Sequence, residues 1–378
     1  MARSVKSDSS FAARIIEWQC AHGRHGLPWQ NTRDAYRIWL SEIMLQQTQV
    51  ATVLPYFARF VAAFPTVATL AAAPLSRVLE HWSGLGYYRR AHHLHAAARV
   101  VVEQHGGRFP SDAATLTTLP GIGRSTAAAI AAFAGGERGA ILDGNVRRVL
   151  ARHRGIDGWP GTPAVQQQLW RAAEALLPGT PAGESKHIAA YTQGMMDIGA
   201  AICTRARPHC GECPVSDDCI ARRDARVGAL PSPRPRRSLP QRAITMLLVE
   251  RNGEILLQQR PPLGIWGGLW SFPEMPVGDD VDAHLSARFH ATADSIERLP
   301  LRKHVFTHFA LTMHPIRIRV ARWPGGVGMP GVAWFGADSA IAAAVPAPIR
   351  KLLATLAQGS HQAERRRDCR RLATFDLM

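Results

Sequence analysis

Cys203-Thr-Arg-Ala-Arg-Pro-His-Cys210-Gly-Glu-Cys213-Pro-Val-Ser-Asp-Asp-Cys219 is the stretch on which the reading of this chain turns. Six, two and five residues separate its successive cysteines. Structural zinc sites usually draw on two close Cys pairs, and this loop has one Cys-x-x-Cys pair. Four thiolates in one short loop suit an iron–sulfur cluster, with zinc as the alternative. Arg205 and Arg207 lie between the first two cysteines, so the loop offers positive charge as well as sulfur. Such a scaffold fits a polyanionic partner.

The rest of the chain agrees with that partner. Its 378 residues carry a formal net charge of +16, which favours nucleic acid. The length allows two or three domains with real cores. No run of 18 apolar residues exists, so no membrane span is expected. The first ten residues are polar and lack the apolar core of a signal peptide. Cys20 and Cys369, the two remaining cysteines, are far apart in sequence, which argues for a reducing cytoplasm rather than a disulfide framework.

Apolar residues recur at helical spacing in 36–47, 67–80, 91–104, 125–134 and 164–177, with Pro and Gly in the gaps. A helical domain over 11–227 is therefore expected, with the cysteine loop (203–219) near its end. Gly228-Ala-Leu-Pro-Ser-Pro-Arg-Pro-Arg-Arg-Ser-Leu-Pro240 has no acid and much Pro, and 228–241 reads as an extended linker. Beyond it the period changes to that of strands. Runs at 243–250 and 254–260 flank Asn252-Gly253, a strong hairpin signal. Ile316, Ile318 and Val320 alternate with Arg317 and Arg319. A smaller α+β domain over 242–358 follows, then an Arg-rich tail over 359–378 that reads as disordered.

Three segments could carry chemistry. Leu119-Pro-Gly-Ile-Gly-Arg124 stands between two helical segments, and its glycines Gly121 and Gly123 permit a turn whose N–H groups could hold a phosphate. Asp143, in Ile141-Leu-Asp-Gly-Asn-Val146, lies at a loop-to-helix junction, where it could act in catalysis or simply cap the helix. Glu42 sits among Ile38, Trp39, Ile43 and Leu45. Half-buried there, it would have a raised pKa and could serve as a general acid; on the outer face of an amphipathic helix it would be ordinary.

Together, the cysteine spacing, the Leu-Pro-Gly-Ile-Gly turn and Asp143 resemble the helix-hairpin-helix superfamily of DNA glycosylases. Leu27-Pro-Trp29, Ser41-Glu-Ile-Met-Leu-Gln-Gln-Thr-Gln49 and Gly84-Leu-Gly-Tyr-Tyr88 resemble the adenine DNA glycosylases, the MutY family. So do Trp266-Gly-Gly-Leu-Trp-Ser-Phe-Pro273 and His304-Val-Phe-Thr-His308, and the likeness runs over 11–358. It implies an all-α glycosylase domain with one 4Fe-4S cluster on Cys203, Cys210, Cys213 and Cys219, followed by a Nudix-like α+β domain. The implied activity is removal of adenine mispaired with 8-oxoguanine or guanine in double-stranded DNA, by a monomer in the bacterial cytoplasm, at the nucleoid.

The same resemblance distributes roles. Glu42 would protonate N7 of a flipped adenine. Asp143 would stabilise or trap the oxocarbenium-like sugar, with Asn145 orienting it or the water. Leu27, Trp29 and Gln193 would line the base pocket, and Gln47 and Tyr87 would wedge into the duplex. Phe306, Thr307 and His308 would read the lesion; the family usually has Ser where this chain has Thr307, which keeps the hydroxyl and adds a methyl. Ser125 stands where lyase-competent relatives place the Schiff-base Lys, so strand cleavage is not expected. No Arg-Glu-x-x-Glu-Glu follows Gly268, so a phosphohydrolase is not expected either. The alternatives are a bifunctional glycosylase/lyase of the endonuclease III type and a non-catalytic iron–sulfur DNA-binding protein.

Overall fold

A computed structural model describes residues 10–179, 185–235, 238–262, 264–321, 323 and 330–356. The tail at 359–378, with its arginines and Cys369, lies outside the described residues, as do residues 1–9. The chain divides into two compact units, Met1–Ala72 with His93–Arg236 and Ala73–His92 with Arg237–Met378.

The first unit is helical. Ser10 caps helix Phe11–His22 by accepting from the Ala13 N–H at 3.2 Å. That helix packs closely on Ser185–Asp197 because residue 194 is glycine: a Cβ there would stand 2.8 Å from Ile15 Cγ2. Asp34 caps Ala35–Leu45, whose Trp39, Leu40 and Met44 are fully buried. Truncating a core aromatic such as Trp39 to Ala would cost about 3–5 kcal/mol. Ala113–Thr118 and Arg124–Ala134 flank the glycine turn and form a helix-hairpin-helix. Gly121 has φ +81°, and a Cβ on it would lie 2.6 Å from His93 Cβ, so any other residue there is both strained and crowded. The run expected as one helix over 67–80 is two, Val67–Ala72 and Leu75–Trp82. Pro74 separates them, since it lacks an N–H and drives the preceding residue away from helical angles.

Regular structure is absent over 228–235, but Leu230 is buried and its carbonyl accepts from Arg152 Nε at 2.8 Å. The start of the proline-rich segment is thus anchored to the helical unit.

The second unit is built on a mixed sheet of strands β1 (Gln241–Arg251), β2 (Glu254–Gln259), β3 (Trp270–Ser271), β4 (Glu274–Met275), β5 (Ser295–Arg298), β6 (Arg302–Val305), β7 (Ala310–Arg319) and β8 (Val332–Gly336). The main order is β3-β2-β1-β7-β5, with β1 and β7 parallel. Asn252 and Gly253 both adopt positive φ, at 50° and 81°, closing the expected hairpin between β1 and β2. On the far side of β7, β6 pairs with 310–313 and β5 with 316–319. The interruption falls at Pro315, whose carbonyl accepts from Leu299 N–H on that side but which has no N–H to return.

Alternation along β1 feeds two cores. Met246 and Leu248 face a cluster with Leu352, Leu353 and Leu356 from helical residues 347–356. Leu247 and Val249 face one with Leu285 and Phe289 from helix Val281–Phe289. Segment 73–92 packs into this unit. Arg350 Nη2 donates to Ser83 Oγ at 2.5 Å, Tyr88 OH to the Val345 carbonyl at 3.3 Å, and His92 Nε2 stands 3.0 Å from the Gly267 carbonyl.

Candidate active site

A cavity of about 470 Å³ opens in the helical unit, lined by Trp29, Ser41, Glu42 and Gln193 along with Gln19 and Arg24. Its size falls within the about 300–1,000 Å³ range of small-molecule sites. Trp29 is held edge-on against Phe57 at 5.1 Å. Leu27 is half-buried outside this lining, and its N–H donates to Gln30 Oε1 at 3.1 Å.

Helix Ala35–Leu45 turns its buried row inward and leaves Glu42 at the cavity wall. The carboxyl keeps some accessible surface but is enclosed by protein, and it makes no hydrogen bond or ion pair among the described residues. Burial, and then the charge of Asp143, pushes its pKa up to about 8. A carboxyl in that state carries a proton at neutral pH.

Asp143 caps helix Gly144–His153, accepting from the Val146 N–H at 2.7 Å. The capping and catalytic readings of this residue are therefore compatible. Burial raises its pKa, and the N–H groups of Val146 and Asn145, then Arg148 and Arg147, oppose the rise. Of the two coupled carboxyls, Asp143 has the donors and the helix N-terminus, so it ionises first. The environments are unequal, as acid–base work by a carboxyl pair requires.

Helix Gly144–His153 also ties this site to the cysteine loop. Arg148 Nη2 donates to Asn145 Oδ1 at 2.9 Å and to the Gly199 carbonyl at 2.5 Å, while its Nε donates to the Cys203 carbonyl at 2.7 Å. One turn on, buried Arg152 donates to the carbonyls of Thr204 and Arg205 and stands 3.4 Å from Cys203 Sγ. A π-helical turn, Ile198–Ile202, delivers Cys203 directly after helix Ser185–Asp197. Widened turns of this kind recur at functional sites.

Cys203, Cys210, Cys213 and Cys219 surround one small cavity whose accessible lining is apolar. Burial pushes Cys213 up to about 11, with the Val215 N–H opposing the rise and the negative charge of the other three cysteine sulfurs adding to it. Among the described residues no three of His, Cys, Asp or Glu converge tightly enough to hold one metal ion. Arg205 and Arg207 are exposed on the same loop.

The other expected residues are placed as follows. Gln47 and Tyr87 are exposed and adopt left-handed backbone, with φ 59° and 49°; strain of this kind in non-glycine residues concentrates at functional sites. Ser125 Oγ accepts from the Leu142 N–H at 2.8 Å, one residue before Asp143. Gly123 caps helix Arg124–Ala134. In the second unit, Phe306 is half-buried, stacked on Phe309 (4.5 Å) and tilted against Trp266 (5.6 Å), while Thr307 and His308 are exposed at the turn.

Arg24, Arg148, Arg152 and Asp197 escaped the sequence reading. The available signal was spacing: Arg148 follows Asn145 by three positions and Asp197 follows Gln193 by four, each pair on one helix face.

Comparison with known proteins agrees with this geometry. The HhH-GPD superfamily base excision DNA repair protein family matches 40–175, and the NUDIX domain family matches 244–355. The adenine DNA glycosylase of Buchnera aphidicola subsp. Acyrthosiphon pisum is 35% identical over 310 residues, 82% of this chain and 87% of the relative. The Homo sapiens adenine DNA glycosylase is 33% identical over 413 residues, covering 93% of this chain and 74% of its own. Among solved structures, a thermostable thymine-DNA glycosylase is 30% identical with a TM-score of 0.50, over 57% of this chain and 95% of that one. Among the described residues no helix is long and apolar enough to cross a membrane. With both halves matched and about a third of residues shared over most of its length, this chain belongs to the adenine DNA glycosylase family.

Proposed function

We propose that this DNA glycosylase hydrolyses the N-glycosidic bond of adenine paired with 8-oxoguanine or guanine in double-stranded DNA, as a monomer in the bacterial cytoplasm. The observation that carries the reading is Glu42: a half-buried, unpaired carboxyl on a cavity of about 470 Å³, raised to about 8 by burial and by the charge of the helix-capping Asp143. Glu42 gives its proton to N7 of the flipped adenine. The C1′–N9 bond breaks with its electron pair leaving on the base, and Asp143, as carboxylate, stabilises the oxocarbenium-like sugar or traps it covalently. Water then attacks C1′, displacing the Asp143 carboxylate where it has bonded and giving its proton to the Glu42 carboxylate, and Asn145, itself held by Arg148, orients that water or Asp143.

Trp29 and Gln193 form the adenine side of the site, with Leu27 two positions before Trp29 and outside the cavity lining. Gln47 and Tyr87 enter the duplex beside the lesion; their exposure and left-handed backbone support this. The N–H groups around Gly121 and Gly123 take a phosphate. Ser125 replaces the lyase Lys and its hydroxyl is engaged by Leu142, so the enzyme is monofunctional. Phe306, Thr307 and His308 read the base opposite adenine. The domains are a glycosylase domain over 11–227, a linker over 228–241, a lesion reader over 242–358 and a basic tail.

The four cysteines fit a 4Fe-4S cluster better than zinc. They supply four soft thiol donors round one cavity, from a single loop with one close pair where structural zinc sites usually draw on two. The bond broken is not redox-labile, so the cluster's contribution when bound is to fix the loop and its arginines. Arg148, bonded to the Cys203 carbonyl and to Asn145 Oδ1, carries that order to Asn145 through hydrogen bonds of this chain alone.

The test is single-turnover reaction with a duplex holding one A opposite 8-oxoguanine, analysed with and without alkali. Adenine release with strand scission only after alkali is expected. No release, or scission without alkali, overturns the reading.

A further inference from the structure

Asp197 is 2% exposed at the last position of helix Ser185–Asp197. Its Oδ2 accepts from the Arg24 backbone N–H at 3.0 Å. Its Oδ1 accepts from Arg24 Nε at 2.6 Å and from Gln193 Nε2 at 2.9 Å, with Arg24 Nη2 2.5 Å away. A carboxylate paired with a guanidinium accepts hydrogen bonds and donates none. Gln193 must therefore turn its NH₂ toward Asp197, and the planar amide then directs Oε1 the opposite way. No donor among the described residues meets that oxygen, and Gln193 lines the same cavity as Glu42.

We infer that Asp197 is a positioning residue that sets base specificity by holding the Gln193 carbonyl toward the cavity, where it selects a base bearing an exocyclic amine. The inference rests on the reading of this cavity as the adenine site. Reversing the amide would set Oε1 against a carboxylate oxygen and leave the NH₂ unpaired, which disfavours the reversed state by about tenfold to a hundredfold. Adenine offers N6–H₂ as a donor to the fixed acceptor. Hypoxanthine offers O6, a second acceptor, and is repelled. Two features keep the device rigid. Arg24 grips the carboxylate from both its backbone and its side chain, and Gly194 lets the carrying helix close on Phe11–His22.

The experiment measures single-turnover release of adenine and of hypoxanthine, each opposite 8-oxoguanine, by the full-length protein. Asp197→Asn can present either NH₂ or oxygen to Gln193, so the amide loses its bias. The adenine-to-hypoxanthine rate ratio should fall by about tenfold or more. Asp197→Ser, whose hydroxyl donates and accepts alike, carries the same expectation in a smaller volume, so a folding failure of one variant leaves the other. The double variant Gln193→Glu with Asp197→Asn should recover the ratio, since the introduced Glu presents an acceptor in either rotamer while the introduced Asn donates to it. A purely structural role for Asp197 would not produce that recovery. An unchanged ratio in active Asp197 variants, or no recovery in the double variant, overturns the inference and leaves the glycosylase reading intact. Absence of adenine release by the wild type overturns both.

Discussion

Glu42 in the helical unit and Glu274 in the sheet unit each line a cavity, of about 470 and 170 Å³, and their surroundings are opposite in character. Glu42 has no ion-pair partner among the described residues, though Arg24 and Arg33 line the same cavity, and burial with the nearby Asp143 charge keeps its proton on. Glu274 is ion-paired with Arg260, and Arg288 shares the cavity. Helix Val281–Phe289, which follows β4, carries Asp282 as its only acid. The sheet unit thus matches the NUDIX domain family, and this helix carries no Arg-Glu-x-x-Glu-Glu run of acids. A cavity with an acid in it is common. What separates a reacting acid from a structural one is whether the protein leaves its charge without a partner.

The sharpest way to break this comparison is to mutate both acids to their amides. Glu42→Gln should lower single-turnover adenine release by about 10²–10⁴ while leaving duplex binding nearly intact, because Gln fills the same space but has no proton to give. Asp143→Asn should lose a similar factor, about 10²–10³, since an amide cannot offset the developing positive charge. Glu274→Gln should leave the rate within about twofold, with its effect confined to stability. A crippled Glu274→Gln, or a near-normal Glu42→Gln, would show that the chemistry is not where the unpaired acid is.

The pH profile sharpens the same point. In the proposed mechanism Glu42 acts in its protonated form, and its pKa is raised to about 8. The single-turnover rate should be held by this group below that pH and fall about tenfold per unit above it. Linkage has a definite sign. The folded protein keeps a proton that the unfolded chain releases from near 4.5, so this group's contribution to stability declines as pH rises from about 4.5 to about 8. In Glu42→Gln both trends should vanish, which separate melting and rate profiles would check.

How much of this could be read from the chain depends on whether local chemistry or tertiary surroundings decided it. The Asn252-Gly253 hairpin and the four-cysteine loop are set by residue types within a few positions, and both were legible. Helix Gly144–His153 was expected only as the helix that Asp143 could cap, and no apolar periodicity marked its extent. Arg147, Arg148 and Arg152 turn inward to backbone carbonyls, so charged residues occupy positions that periodicity expects to be apolar. Pro55 reads as a breaker yet sits inside helix Val50–Ala63. Glu42 was legible as a candidate because Ile38, Trp39 and Ile43 surround it in sequence. That its carboxyl lacks a partner emerges only when distant segments meet. The Arg24–Asp197–Gln193 group joins the loop after helix Phe11–His22 to helix Ser185–Asp197, and beyond the Gln193–Asp197 spacing it belongs to that second class.

If the sheet unit reads rather than reacts, its damage should appear in selectivity. Replacing Phe306 and Thr307 together by Ala removes the ring stacked on Phe309 and the exposed hydroxyl beside His308. The preference for adenine opposite 8-oxoguanine over guanine should fall by about tenfold, with the rate on the poorer substrate little changed. A uniform loss on both substrates would instead mean that this turn supports the glycosylase step itself.

The smallest effect is expected where charge meets DNA without touching chemistry. Arg205 and Arg207 are exposed on the cysteine loop, whose backbone Arg152 and Arg148 hold from within through the carbonyls of Cys203, Thr204 and Arg205. The anchoring uses main-chain oxygens, so Arg205→Ala and Arg207→Ala should leave the loop in place. Each should then lower duplex affinity only a few-fold at moderate salt and reduce the slope of log affinity against log salt by about one unit per lost phosphate contact. The single-turnover rate at saturating enzyme should stay unchanged, because Glu42 and Asp143 keep their surroundings. This contrasts with Arg148→Gln, which breaks the links to Asn145, Gly199 and Cys203 and should lower the rate itself. An unaltered salt slope in both Ala variants would show that the loop does not face phosphate. A slowed chemical step in them would show that the outer arginines, and not only the inner pair, hold the site in register.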